Sequence, residues 1–267
     1  MEKSLEILAE QLRRARRILI FTGAGISTGS GIPDFRGPDG IWKTWQPVYY
    51  HDFMRSEQAR KDHWKYKLAT WSSFSAARPN ATHEAIVQLE RAGKIVGVVT
   101  QNIDGLHSRA GTSPALLVEL HGTNSLVECQ SCGKLSDPEP HFESFRRTGM
   151  PPVCACGGFL KPATISFGQN LRDEVLKQAE ALAMQADLVV ALGSTLSVYP
   201  AAQIPKLAAA RGIPYVIINR GPTDHDDLPE LTLRLEADVT AVFPPAVALA
   251  LAPANEGPNQ ASPKPRR

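Results

Sequence analysis

Four short runs of residues in this 267-residue chain carry the means for chemistry. The first is Gly23-Ala24-Gly25-Ile26-Ser27-Thr28-Gly29-Ser30-Gly31, directly after the apolar run at residues 17–21 (RILIF). Glycines after a strand let the backbone close on a pyrophosphate, and free N–H groups at a helix start favour an anion. The spacing is G-x-G-x-x-x-G, not the usual dinucleotide G-x-G-x-x-G, and no lysine stands as in a triphosphate-binding loop. A glycine-rich turn without a ligand fits the same residues. The second run is Thr100-Gln101-Asn102-Ile103-Asp104-Gly105-Leu106-His107, and the third is Glu119-Leu120-His121-Gly122. Both follow apolar runs, so amide, carboxylate and imidazole groups would gather at one end of a sheet, a plausible catalytic set. The plainer alternatives are a solvated loop histidine and turn-forming carboxylates at Asp34 and Asp104. The fourth run is split: Cys129-x-x-Cys132, then Cys154-x-Cys156. Four thiolates make a closed tetrahedral zinc site that staples a lobe with little core of its own. A relic site held by packing is the alternative.

The elements that must position these groups follow from hydrophobic periodicity. Residues 1–17 read as an amphipathic helix with Leu5, Leu8 and Leu12 on one stripe. Strands are expected at 17–21, 95–100, 116–120, 187–192 and 215–219, and helices at 82–92, 171–186 and 201–211, with Gly93 in a stopping position. Asn80-Ala81-Thr82 matches a glycosylation acceptor, but without a secretory leader it reads as a helix cap. Helices alternating with near-continuous apolar strands imply an α/β class with a Rossmann-like parallel sheet and helices on both faces. Residues 37–79 and 126–164 break the rhythm and read as two insertions that form a small zinc-binding lobe. The expected division is therefore 1–36, 80–125 and 165–252 for the nucleotide-binding domain, 37–79 and 126–164 for the lobe, and a disordered tail at 253–267.

The bulk numbers exclude little but bound the rest. A net charge of +2 does not call for nucleic acid or an acidic lipid surface. No apolar run reaches membrane-spanning length, and the N-terminus lacks a signal-peptide core, so a cytoplasmic location is expected. A reducing compartment also argues for metal over disulfides at the four cysteines.

In order along the chain, GAGIS, GIPDFR, TQNIDGLH, ELHG, the paired cysteines, Phe167-Gly168, Gly193-Ser194-Thr195-Leu196 with Val198 and Pro200, and Ile218-Asn219 resemble the sirtuin family, of bacterial type, over about residues 20 to 240. The resemblance implies an NAD-dependent protein-lysine deacylase, a transferase that consumes NAD and yields nicotinamide and O-acyl-ADP-ribose. It implies that Gly23, Ala24, Gly25 and Ser27 surround the NAD phosphates, and that Asp34, Phe35 and Arg36 lie near the nicotinamide ribose. Gln101, Asn102, Ile103 and Asp104 would line the nicotinamide pocket, and Gly193, Ser194, Thr195, Asn219 and Arg220 would hold the adenosine half. Phe35, Ile165 and Phe167 would flank the acyl-lysine. His121, with Asn102 and Asp104, would be the catalytic set, His121 as general base; His107 would be structural. One structural zinc would sit on Cys129, Cys132, Cys154 and Cys156. The expected partner is an acylated lysine in a protein substrate. A mono-ADP-ribosyltransferase using the same site and a non-catalytic NAD or ADP-ribose sensor are the alternatives.

Three departures from the family pattern matter. The second cysteine pair is one residue shorter than C-x-x-C, Gln169 stands where glutamate is common, and Gly193-Ser194-Thr195 replaces Gly-Thr-Ser. Relatives that remove succinyl or malonyl carry a Tyr-x-x-Arg pair in the small lobe, and residues 41–78 hold none; Lys65 and Lys67 are the cations that could stand in. Acetyl should therefore be removed with a kcat/KM at least roughly tenfold above succinyl in one peptide, about 1.4 kcal/mol of transition-state discrimination. Equal or better succinyl removal would show that a lysine has taken the arginine's place.

Overall fold

The computed structural model describes residues 2–34, 40 and 44–253. Phe35, Arg36 and the tail from residue 254 lie outside them.

Helix α1 (Glu2–Arg14) leads into β1 (Ile18–Thr22), followed by two single 3-10 turns, Ala24–Ile26 and Thr28–Ser30. After α2 (Tyr50–Arg55) and α3 (Glu57–Ala76), α4 (Ala81–Arg91) leads into β2 (Ile95–Thr100). Next come α5 (Leu106–Ala110), β3 (Leu117–Glu119), β4 (Gly122–Cys129), β5 (Leu135–Ser136), α6 (Glu139–Thr148) and β6 (Leu160–Thr164). The chain closes with α7 (Asp173–Ala183), β7 (Leu188–Leu192), α8 (Gln203–Ala209), β8 (Tyr215–Asn219), β9 (Leu231–Glu236) and α9 (Val239–Leu251).

The main sheet has the order β3-β2-β1-β7-β8-β9, and every pairing in it is parallel. The fully apolar strands follow from this. Alternate side chains enter opposite faces, and each face is covered. Ile18, Ile20, Leu188, Val190, Val216 and Ile218 pack with Leu8 and Leu12 of α1, Ile86 of α4 and Phe243 of α9. Leu19, Phe21, Val189, Ala191 and Ile217 pack on the other side with Ala179 of α7 and Ile204 of α8. A strand buried on both faces loses the polar-apolar alternation that marks a half-exposed one.

The sequence expectation located the helices and strands of this sheet to within a few residues at each end. It missed β9 and α9, and the physical reasons differ. Strand β9 is only partly buried, and α9 carries Pro244 and Pro245 inside the helix. It also missed the 20-residue α3, whose apolar residues do not fall on one sharp stripe: Trp64 packs in the core of the small sheet, while Phe74 packs with Ile32, Ala77 and Leu106.

A second, three-stranded antiparallel sheet has the order β5-β4-β6. Its core is Trp64 of α3, Val127 and Cys129 of β4, Phe142 and Phe145 of α6, and Leu160. Trp64 is fully buried, meets Phe142 edge-on at 5.3 Å, and donates its indole N–H to the Leu160 carbonyl at 3.1 Å. The helix from the first insertion and the sheet from the second thus share one core. Among the described residues no helix is long and apolar enough to cross a membrane.

Removal of this one ring should be felt throughout the small sheet. Trp64→Ala is expected to cost about 3–5 kcal/mol, read as a lower urea midpoint with zinc present. A loss below about 1 kcal/mol would mean that α3 and the small sheet do not depend on one another.

Candidate active site

Strand order turns around between β1 and β7: the chain runs from β1 outward to β2 and β3, then returns to place β7 on the other side. Ligands bind outside the carboxyl ends of strands at such a point. Here the two loops that leave β1 and β7 touch backbone to backbone. The Gly25 N–H donates to the Gly193 carbonyl at 2.8 Å, and the Gly23 N–H to the Leu192 carbonyl at 3.0 Å. A methyl group on Gly25 would lie 2.7 Å from the Gly193 Cα, and one on Gly193, whose φ is +61°, would lie 2.5 Å from the Ile26 nitrogen. These glycines are therefore required by the contact of loop with loop, before any ligand is considered.

Polar side chains from three strand ends converge beside that contact. The Ser27 hydroxyl donates to Asp104 Oδ2 at 2.8 Å, and Asn102 Nδ2 donates to Ser27 Oγ at 3.2 Å. Asp104 Oδ1 accepts the Leu106 N–H at 2.8 Å. Burial pushes the Asp104 carboxyl above its usual range, opposed by the donors from Leu106 and Ser27. Glu119, at the end of β3, is pushed up to about 7 by burial and by the nearby Asp104 charge. The Gln101 side-chain amide donates to Ser194 Oγ at 2.9 Å, which ties the β2 end to the β7 end.

His121 stands in the turn between β3 and β4. Its Nδ1 lies 3.0 Å from the Gln101 carbonyl oxygen. A carbonyl only accepts, so Nδ1 carries the proton and Nε2 keeps a lone pair. Burial lowers the His121 pKa below the ordinary histidine value, and the bond to Gln101 offsets this only in part. The ring is therefore neutral at neutral pH. The His121 carbonyl accepts the Ile165 N–H at 2.8 Å, so the segment after β6 runs beside the histidine. Phe167 lies on that segment, 39% exposed, its ring 6.0 Å from that of Tyr49.

The four cysteines come together in spite of the short second pair. Their sulfurs all lie within 4.8 Å of one another, with Cys129–Cys156 at 3.5 Å and Cys132–Cys154 at 3.9 Å. Four thiolates at Zn–S distances of about 2.3 Å have sulfurs about 3.8 Å apart, so the set fits a tetrahedral ion. The missing residue is absorbed by a tight turn. Gly157 has φ +85° and donates to the Cys154 carbonyl, and a side chain on Gly158 would lie 2.6 Å from Cys129 Sγ. Backbone N–H groups of Cys132 and Ser131 bring the Cys129 thiol down to about 6. The Gly158 N–H favours a thiolate at Cys156, but the crowding sulfurs outweigh it and push that thiol up to about 12. Such a cluster cannot hold four negative charges until a cation neutralises them.

The Sir2 family model matches residues 23–200, two thirds of the chain and every strand end described above. The chain belongs to the Sir2 family. An NAD-dependent protein deacetylase of Rhodopseudomonas palustris is 42% identical over 235 residues, which cover 88% of this chain and 93% of that protein. A solved structure described as the basis for mechanism and regulation of Sir2 enzymes superposes with a TM-score of 0.83 at 36% identity, covering 94% of this chain and 98% of the other. Another, a Sir2 histidine-to-alanine variant with deacetylated p53 peptide and 3'-O-acetyl ADP-ribose, has a TM-score of 0.83 at 36% identity, covering 91% and 97%.

Of the residues expected to serve this Sir2 chain, Gly23, Gly25, Ser27, Gln101, Asn102, Asp104, His121, Gly193 and Ser194 are linked by the contacts above. Ala24 lies in the first 3-10 turn, and its carbonyl accepts the Ser27 N–H at 3.0 Å. Asp34 follows the second turn and is partly buried. Asn219 ends β8 and donates to the Arg220 and Gly221 carbonyls at 3.2 and 3.1 Å, while the Thr195 hydroxyl meets Ser197 at 2.8 Å. Arg220 is exposed and paired with Asp238 at 2.5 Å. The Ile103 carbonyl accepts the Asn124 N–H at 2.9 Å. Phe35 and Arg36 are outside the described residues.

Three further groups hold the site: Asn80, expected only as a helix cap; His107, expected to be structural through bonds to backbone; and Lys67, read from the sequence only as a cation that could stand in for arginine. Asn80 caps α4 through Thr82 as expected, and its Nδ2 also holds the Ile26 carbonyl at 2.7 Å and the Ser30 hydroxyl at 2.9 Å. His107 bonds to a side chain, not to backbone: its Nε2 lies 3.0 Å from the Thr22 hydroxyl, which donates to Thr100 Oγ1 at 2.8 Å, and that oxygen accepts the Asn102 N–H at 3.0 Å. Burial and the neighbouring His83 lower His107 to about 3, so this relay is uncharged. Lys67 of α3 is buried against the strands on either side of His121 and Ile165. The cap at Asn80 carried a sequence signal, but the pairings of Thr22, Thr100, His107 and Lys67 are between residues far apart in the chain and carried none.

The cysteine geometry predicts one zinc per chain, measured by elemental analysis of protein purified without chelator. Cys132→Ser should reduce the bound metal and lower the thermal midpoint. A zinc-free protein with unchanged stability and activity would refute the site.

Proposed function

We propose that this chain is an NAD-dependent protein-lysine deacetylase in which His121 is the general base. Its relatives at this level of identity are named for that activity. The observation that carries the residue assignment is the orientation of His121: Nδ1 is committed to the carbonyl of Gln101, the residue before Asn102, leaving Nε2 free to accept a proton. Bound NAD supplies an activated sugar carbon with nicotinamide as leaving group. Everything else falls to the protein. The loop at Gly23, Ala24, Gly25 and Ser27 takes the phosphates at the strand-order reversal, and Gly193, Ser194 and Asn219 border the adenosine side. Asn102 and Asp104, held by Ser27, line the nicotinamide side, with Gln101 and Ile103 flanking. Ile165 and Phe167 lie along the acyl-lysine. With NAD bound, the acyl-lysine amide oxygen would bond to that sugar carbon as nicotinamide leaves; His121 Nε2 would then accept the proton of a sugar hydroxyl as that hydroxyl attacks the acyl carbon, whose bond to the lysine nitrogen breaks to free the amine, water supplying the remaining hydroxyl of the O-acyl-ADP-ribose. A neutral imidazole is needed for this, and burial helps to keep it neutral.

The small lobe in this reading is residues 37–79 and 126–164, with its zinc held by Cys129, Cys132, Cys154 and Cys156. The zinc staples the lobe and takes no part in the reaction. We place the enzyme in the cytoplasm, in keeping with four cysteines that are free thiols gathered for a metal.

Incubation with NAD and an acetyl-lysine peptide, followed by mass spectrometry, should give free lysine peptide, nicotinamide and O-acetyl-ADP-ribose. An ADP-ribosylated protein in their place would overturn the reading. His121→Ala should bind NAD with its fold intact and lose roughly 10²–10⁴-fold in kcat/KM. Because burial lowers the histidine pKa, the wild-type kcat/KM should stay level as pH falls from 8 to 7, with its decline lying to the acid side of the ordinary histidine range. A decline that begins above pH 7 would show that His121 is not the neutral base described here.

A further inference from the structure

Two buried histidines stand between parts of the site that the sequence keeps far apart. His83 is the third residue of α4, and His107 is the second of α5. Their rings meet edge to face with centroids 5.1 Å apart, and the two residues are 0% and 2% exposed. His83 Nδ1 accepts the Asn80 N–H at 3.3 Å, while Asn80 Oδ1 accepts the Thr82 N–H at 2.9 Å, so the two side chains together close the first turn of α4. Asn80 in turn holds the glycine-rich loop at the Ile26 carbonyl and the Ser30 hydroxyl. His107 Nε2 lies 3.0 Å from the Thr22 hydroxyl, at the head of the line that runs through Thr100 to the Asn102 N–H. One ring thus serves the seat of the glycine-rich loop, and the other serves Asn102.

The protons on the two rings follow from their partners. A peptide N–H only donates, so His83 Nδ1 keeps a lone pair and Nε2 carries the proton. Asn80 Oδ1, 3.2 Å from the same Nδ1, already accepts from Thr82. Thr22 gives its one hydroxyl proton to Thr100 at 2.8 Å, so His107 Nε2 is the donor to Thr22 and His107 Nδ1 keeps the lone pair. Burial brings His83 down to about 4, and burial with the neighbouring His83 brings His107 down to about 3. Among the described residues no acidic group acts on either ring, so neither takes up a second proton near neutral pH. What remains is one N–H on His83 and one lone pair on His107. Both nitrogens are buried, and neither has a partner among the described residues. A buried donor and a buried acceptor are each costly alone, and they satisfy one another when joined, directly or through one bridging water.

We propose that His83 is a positioning residue of this site, and that it donates its Nε2 proton to His107 Nδ1. That bond closes one line from Asn80 through His83, His107, Thr22 and Thr100 to Asn102. Every donor along it points the same way: the Asn80 N–H to His83, His83 to His107, His107 to Thr22, and Thr22 to Thr100. Bonds that run in one direction polarise and strengthen each other. A reversed ring would set two donors or two acceptors face to face. The far end of the line is the Thr100 oxygen that holds the Asn102 N–H, and the near end is the side chain that holds the glycine-rich loop. His83 therefore ties the seat of the loop to the seat of Asn102, whereas His107 acts on Asn102 alone. The effect on turnover rests on the deacylase reading above, and the bond itself does not.

The test uses the full-length, zinc-loaded enzyme. Imidazole nitrogen NMR of histidine-labelled wild type should show both rings neutral with the proton on Nε2, at pH 7 and still at about pH 5.5. The two signals are identified by their loss in His83→Gln and His107→Gln. A proton on Nδ1 of either ring, or a ring that titrates in the ordinary histidine range, would overturn the proposal without any kinetic measurement. With an acetyl-lysine peptide, His83→Phe should lower kcat at least roughly tenfold. His83→Gln should stay within about threefold of wild type, because its amide offers an acceptor to Asn80 and a donor to His107. His83→Phe and His107→Phe combined should lower kcat no further than the worse of the two alone, as residues on one line do. Losses that multiply, or a Gln variant no better than Phe, would show that His83 only fills space in α4. Absence of acetyl removal by the wild type would instead sink the deacylase reading, with the NMR result left to decide the bond.

Discussion

The close approach of the β1 and β7 loops is the constraint on which the site depends. A parallel sheet leaves its strand ends open where strand order reverses, and two loops diverge there. In this chain they are drawn back together by the Gly25 N–H on the Gly193 carbonyl and by faces that tolerate no side chain. Beside that contact, Ser27 faces the end of β2. Ser27 then holds both Asn102 and Asp104. The backbone contact and three bonded side chains from two strand ends thus lie together in one site.

A second level of positioning works through buried hydrogen bonds whose partners are uncharged. The line His107–Thr22–Thr100–Asn102 crosses from α5 through β1 and β2 to the site, and burial keeps its imidazole neutral. His121 is oriented by a carbonyl, not by a carboxylate. A carboxylate partner would hold the ring protonated to higher pH; a carbonyl orients the ring with much less of that effect. The histidine gains direction while its pKa stays on the side that suits a base. Asp104 and Glu119 show the opposite trend, since burial raises carboxyl groups as it lowers imidazoles.

The two sheets are coupled by helices more than by strands. Trp64 places α3 in the core of the small sheet, and Lys67, one turn on, reaches the strands beside His121. Asn80, just past α3, caps α4 and holds the glycine-rich loop by its Ile26 carbonyl. Zinc at the cysteines acts on this same core through Cys129, which is packed in it. Changes in the metal lobe can therefore reach the strands beside His121 along a short, packed route.

Periodicity and local chemistry were enough to read the parallel sheet, its alternating helices, the cap at Asn80 and the ordered motifs that mark the family. These are properties of contiguous residues: an apolar strand of five or six residues, a glycine after it, a histidine in the turn beyond. The sequence alone also brought the four cysteines into one expected site, though it could not say whether Cys154-x-Cys156 would close. The tertiary structure decided that through the turn at Gly157 and Gly158. It decided the tautomer of His121, the burial of Lys67 against the exposure of Lys65, and the reason for Gly25 and Gly193. It also supplied α3, β9 and α9, which face mixed surroundings or contain proline and so leave no clean period to read. Each of these outcomes depends on what a residue meets across the fold, and a distance between residues remote in sequence is not written in the spacing of either one.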